Sequence, residues 1–168
     1  MENTYRQFEI KEGICFLVEL NRDIFVPLEL LDFHSQFEEI LSAINDLVKD
    51  LLITLPSTGI GIYLYNCDET DSEFKEGTGL RTLFRLNDIN SVNMKKLYDI
   101  LEDHSLGLHK LENTYKYSET TRDTLPYVLN TMISEINLKT HYNNRKMVWI
   151  TNQDSPYEDN KTQRRLRQ

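Results

Sequence analysis

The sequence predicts an α/β domain built on a mostly parallel sheet with flanking helices. Three observations carry that expectation. Gly13 to Val18 is an almost unbroken apolar run, as a strand buried on both faces requires. Ser35 to Leu51 places apolar residues at three- and four-residue steps, the stripe of an amphipathic helix. Strand-like and helix-like segments then follow in the order strand, helix, hairpin, helix, helix, strand, which suits a layered α/β arrangement.

Taken in order, Tyr5 to Glu12 is mixed and reads as an edge strand or irregular lead-in. The first strand opens at Gly13 and runs into the polar loop Glu19-Leu20-Asn21-Arg22-Asp23. Ile24 to Phe33 contains Pro27 and reads as a loop with apolar anchors. Ser35 followed three residues later by Glu38 has the spacing of a capping box, so the first helix starts there. Phe37, Ile40, Leu41, Ile44, Leu47, Val48 and Leu51 are its core-facing stripe. Pro56 to Gly59 ends it, and Ile60 to Asn66 is the second strand. Asp68 to Gly79 is acidic and reads as an exposed loop, with Leu80 to Leu86 returning as a third strand in a wide hairpin. Ser91 to Leu106 is a helix with Met94, Leu97, Tyr98 and Leu101 on one face and Gly107 as its stop. Leu108 to Thr124 is polar and is assigned no structure. Leu125 to Ile136 forms another helical stripe, with Thr124 as a cap and Pro126 tolerated in the first turn. Asn137 to Asn144 is a loop, Lys146 to Ile150 the last strand, and Thr151 to Pro156 a second polar loop at a strand end. A charged tail, Asn160 to Gln168, closes the chain. With only four strands, the last is left as an open edge, and open edges invite association.

Composition narrows the function classes. The 168 residues, 39% of them apolar, suit one globular domain, which at this size buries roughly two thirds of its unfolded surface. Nineteen Lys and Arg against 27 Asp and Glu give a net charge of −8, a poor basis for gripping nucleic acid phosphates. Two cysteines, Cys15 and Cys67, lie in apolar runs and read as core residues, which argues for a reducing intracellular compartment. Met1 to Lys11 lacks the pattern of a secretory leader, and no apolar stretch approaches the roughly twenty residues of a membrane span.

In open α/β sheets, ligands bind beyond the carboxyl ends of the strands. If the two polar loops leave neighbouring strands, Glu19, Asn21, Asp23, Asn152 and Asp154 face one crevice. Glu19-Leu20-Asn21-Arg22-Asp23 resembles the metal site of von Willebrand factor A domains, Asp-x-Ser-x-Ser, but with Glu for Asp, Asn for the first Ser and Asp for the second. Longer side chains and extra charge spoil the small octahedron that Mg²⁺ demands. The expectation is a degenerate site and no cofactor. His34, His104, His109 and His141 are scattered, without a zinc spacing. Gly59-Ile60-Gly61 precedes a strand, so no phosphate loop forms, and no nucleophile motif is present. Lys161, Arg164, Arg165 and Arg167 form a short basic cluster that reads as a solvated end. Tyr115 and Tyr117 are either partner contacts or anchors of a long loop.

Four blocks together resemble a known family: Gly13 to Glu19, Gly61 to Tyr65, Phe84 to Asn90, and Val148 to Pro156 with its Thr-Asn-x-Asp-x-Pro loop. They are similar to the amino-terminal von Willebrand A-like domain of the seventy-kilodalton subunit of Ku, in its fungal form. The resemblance implies that residues 1–168 are a single, partial Rossmann-like von Willebrand A-type domain, its carboxyl-terminal part missing and the chain stopping before the family's DNA-encircling β-barrel. It implies a nuclear protein-interaction domain of a DNA-end-binding heterodimer, acting in non-homologous end joining of double-strand breaks and in telomere maintenance. The expected partners are the other Ku subunit and end-joining or telomere proteins, with DNA bound only by the full-length heterodimer and no membrane. An abasic-site lyase activity attributed to the family rests on an early lysine; Arg6 and Lys11 are the nearest residues and do not match, so no catalytic residue is expected. The chain is expected to be a fragment or a shortened paralogue. The alternatives are a metal-dependent adhesion-type A domain and a truncated decoy of Ku.

Overall fold

The computed structural model describes residues 10–120 and 123–154. Most of the Tyr5–Glu12 lead-in, Arg6, the Ser155-Pro156 end of the second polar loop and the basic tail lie outside the described residues. One four-stranded sheet forms the centre, in the order β3-β2-β1-β4, from β1 (Glu12–Glu19), β2 (Gly59–Tyr65), β3 (Arg81–Asp88) and β4 (Asn144–Ile150). β1 is parallel to both neighbours, with Leu17 opposite Tyr63 on one side and Trp149 on the other. β3 runs antiparallel to β2, completing the wide hairpin.

The helices α1 (Gln36–Thr54), α2 (Ser91–Ser105), α3 (Leu111–Thr114) and α4 (Leu125–Leu138) cover the sheet from two sides. Because side chains alternate along a strand, β1 feeds both layers. Phe16 and Val18 pack with the α1 stripe of Phe37, Leu41, Ile44 and Val48 and with Leu97 of α2. Cys15 and Leu17 pack with Val128 and Met132 of α4. A strand buried on both faces is thus the axis of the domain. The start of α1 is set by Ser35, whose hydroxyl accepts the Glu38 N–H at 3.2 Å, as the capping-box spacing requires. Gly107, at φ 73°, stops α2 in the left-handed conformation that glycine adopts without penalty.

Four local expectations are corrected. Thr124 makes no side-chain cap; it sits at φ −109°, ψ −5°, too helical for its hydroxyl to turn back on the first N–H groups. Leu108 to Thr124 is ordered by tertiary packing: Leu111 and Tyr115 are buried, α3 carries them, and Cys67 pairs with Tyr117 in an isolated bridge. Tyr115 stacks edge-on against Phe37 at 6.0 Å, and Tyr117 lies 6.1 Å from Phe25, so both tyrosines anchor the loop. In α2 only Leu97 is fully buried, and Tyr98 is half exposed. The Ile24–Phe33 loop contains two single-turn 3₁₀ segments, Asp23–Phe25 and Glu29–Leu31.

Two glycines of the strands have a steric role. A Cβ at Gly59 would stand 2.3 Å from the ring of Tyr142, and one at Gly13 would stand 2.9 Å from it. Tyr142 is buried across the amino ends of β1 and β2, its hydroxyl donating to Asp88 at 2.6 Å. Among the described residues no helix is long and apolar enough to cross a membrane.

The sheet has two edges, treated differently. At β3 the acidic loop folds back: Asp71 accepts the Thr82 N–H at 2.6 Å, and Glu73 accepts the Thr82 hydroxyl and pairs with Arg85. These contacts blunt that edge. β4 has no neighbouring strand on its outer side among the described residues, as expected for the last strand.

Candidate functional site

From β1 the chain crosses to β2 through α1 on one face, whereas it enters β4 from α4 on the other face, so the strand order reverses between β1 and β4. A crevice at such a point, at the carboxyl ends of the strands, is where α/β sheets place their sites. Both polar loops open there, because β1 and β4 are parallel neighbours.

The structure brings Glu19, Asn21 and Asn152 together and leaves Asp23 and Asp154 outside. Glu19 is 5% exposed and points inward. One of its oxygens, Oε2, accepts the Tyr65 hydroxyl at 2.7 Å and the Thr151 hydroxyl at 2.8 Å. Tyr65 in turn accepts the indole N–H of Trp149 at 2.9 Å. Burial and the neighbouring Glu19 carboxylate push the Tyr65 phenol well above its ordinary range, so it stays a donor. Asn21 and Asn152 exchange amide hydrogen bonds of 2.5 and 3.2 Å. Asn21 Oδ1 also accepts the Ile24 N–H at 3.0 Å, and Asn152 donates to Gln36 at the start of α1. Asp23 and Asp154 are exposed.

This arrangement ties four pieces of chain into one clasp. A divalent cation wants several hard oxygens converging with room for water. Here the buried carboxylate is aimed at two hydroxyls, and the amide oxygens are bonded to each other's N–H groups. Among the described residues no three of His, Cys, Asp and Glu gather in a way that would hold a metal.

The partners Tyr65, Trp149, Thr151 and Gln36 were not legible as site residues. Tyr65 and Trp149 read as apolar strand positions, and only the register, with Glu19 opposite Tyr65, joins them. The glycines Gly59 and Gly61 lie inside β2, which starts one residue before the expected Ile60, instead of preceding the strand. Of the histidines, His104 is the most integrated: its Nδ1 accepts the Leu111 N–H at 3.2 Å, leaving Nε2 to donate to Glu38 at 3.2 Å.

Residues 13–168 match the family described as the Ku70/Ku80 N-terminal alpha/beta domain. The chain is 35% identical over 164 residues to ATP-dependent DNA helicase II subunit 1 of Saccharomyces cerevisiae, covering 94% of this chain and 27% of that protein. It is 29% identical over 159 residues to the protein of the same name from Kluyveromyces lactis, covering 92% of this chain and 26% of that one. The chain therefore spans about a quarter of the length of these relatives. With a family match that begins at the first glycine of β1 and takes in every strand and helix of the sheet just described, the chain belongs to the Ku70/Ku80 N-terminal α/β domain family, on the side of the yeast subunit 1 proteins.

Proposed function

We propose that this domain is the protein-interaction module of a Ku-like DNA-end-binding subunit, with no chemistry of its own. Its setting is the nucleus, in non-homologous end joining and telomere maintenance, alongside the other Ku subunit. The observation that carries the reading is the clasp: the crevice where an α/β sheet keeps its ligand is filled by Glu19, Asn21 and Asn152 bonding to this chain's own groups. We place the metal motif of the A-domain fold here as a degenerate site that now fastens β1 to β4. The net charge of −8 supports a role toward proteins, because an acidic surface repels phosphate.

The name of the yeast relatives includes ATP dependence. That activity is not carried to this domain, whose paired glycines serve close packing inside β2 instead of cradling a phosphate between strand and helix.

The test is an anisotropy titration of the 168-residue chain with a labelled blunt duplex at physiological salt. No saturable binding is expected; tight binding that needs a free end would overturn the reading.

A further inference from the structure

The loop between β1 and α1 is built to hold apolar side chains in solvent. Leu28 and His34 close it as an isolated antiparallel bridge, and the Phe33 N–H donates to the Leu28 carbonyl at 2.9 Å. At its tip Leu30 is 97% exposed and Phe33 71% exposed. Asp32 and Phe33 have φ of 52° and 65°, a left-handed conformation that a bulky aromatic adopts only at a cost of about 1–3 kcal/mol. Nothing in the core recovers that cost, since the strained residue points outward.

A second segment meets the loop at one carboxylate. Glu38 receives His34 on Oε1 at 3.4 Å and His104 on Oε2 at 3.2 Å. Phe33 is next to the first histidine, and Leu106 and Leu108, each 65% exposed, follow the second. Four exposed apolar side chains from two segments thus flank one buckle. The rim is mainly acidic: residues 29–39 carry Glu29, Asp32, Glu38 and Glu39 with no Lys or Arg, and residues 99–110 carry Asp99, Glu102 and Asp103 against Lys110, which lies beside Gly107, with Asp99 paired to Lys95.

We propose that this patch docks a partner-protein segment in which Leu- or Phe-type residues are flanked by Lys or Arg. The proposal rests on the protein-interaction reading and names the surface and the chemistry that it takes. Charge selects the occupant: a nucleic acid and an anionic membrane bring more negative charge to an acidic rim, and so does a second copy of this chain, at net −8, everywhere but in its 161–167 cluster. A basic segment is attracted to that rim, and its apolar residues cover the exposed knob.

The test uses isotope-labelled 168-residue chain and a short synthetic peptide carrying Leu and Phe between Lys residues, with a control peptide bearing Glu in place of Lys. The Lys peptide is expected to shift backbone resonances in 29–34 and 104–109, less at high salt, while the Glu peptide shifts none. Phe33→Gly is expected to raise Tm by a few degrees, because glycine relieves the left-handed strain, and to weaken peptide binding about tenfold or more. Binding unchanged in Phe33→Gly, equal shifts with the Glu peptide, or shifts on another face would each overturn the proposal. Shifts on another face would leave the interaction reading standing, whereas tight duplex-end binding would sink that reading and leave the peptide result to judge this surface.

Discussion

At the scale of single residues, Asn21 is the most informative position. Its side chain caps the turn at Ile24 and exchanges two hydrogen bonds with Asn152, so it fastens the end of β1 to the end of β4. Asn21→Ala removes a cap and leaves Asn152 partly unpaired, and is expected to cost about 1–2 kcal/mol in urea unfolding. Asn152→Ala should cost less, since it spares the Ile24 bond. Because the two amides share bonds, the double mutant should cost less than the sum of the singles by about 0.5–1 kcal/mol. Additive losses would mean that the amide pair does not hold the crevice. Asn21 and Asn152 were readable in advance as residues of one crevice, because polar side chains at neighbouring strand ends must meet there. What they do was not readable: an amide pair and a buried Glu19 held by Tyr65 and Thr151 depend on register and rotamer, which no local pattern encodes.

At the scale of elements, the two sheet edges differ in protection. The outer backbone of β3 is answered by Asp71, at 2.6 Å from the Thr82 nitrogen, but β4 has no outer neighbour among the described residues, and its Val148 is 39% exposed. An unprotected edge pairs with whatever strand it meets. Val148→Lys is expected to lower self-association in sedimentation runs at high protein concentration. Its stability cost should stay below about 1 kcal/mol, because much of the valine is already in water. Association that is indifferent to this change would locate the contact elsewhere. The same edges show which elements local chemistry encodes. The α1 boundary was legible because Ser35 and Glu38 form a cap that depends on four consecutive residues. β1 was legible because burial on both faces leaves an unbroken apolar run. α3 was not, although Leu111 and Tyr115 are four residues apart. A single turn has no stability of its own and exists here because Tyr115 packs on Phe37 of α1. Thr124 misled for a related reason: its residue type suits a cap, but the backbone enters α4 already turned.

At the scale of the whole molecule, the two core layers differ in chemistry. The layer under α4 holds Cys15, Tyr63, Tyr65 and Tyr142, and each phenol donates to a carboxylate: Tyr63 to Glu135 at 3.2 Å, Tyr65 to Glu19 at 2.7 Å and Tyr142 to Asp88 at 2.6 Å. Burial is the largest cause that raises all four groups, from 10.0 for the phenols and, for the Cys15 thiol, from 9.0 to about 12. The layer under α1 and α2 contains Tyr115, also raised by burial but opposed by Arg81. A raised value means that the folded state holds the proton more tightly than the unfolded chain. The associated stability is therefore whole below the unfolded values and is lost as pH rises toward the folded ones. Ionising any of the three phenols would also set two anions face to face, and for Tyr65 and Glu19 both are buried. Thermal stability should be level from neutral pH to about 9 and then fall steeply. Hydrogen exchange at alkaline pH should open α4 before α1, because α4 covers the titrating layer. Tyr142→Phe should lower Tm at neutral pH, having lost the Asp88 bond, yet show a shallower alkaline fall than the parent chain. A Tm that stays level through pH 12, or an α1 that opens first, would contradict this division of the core.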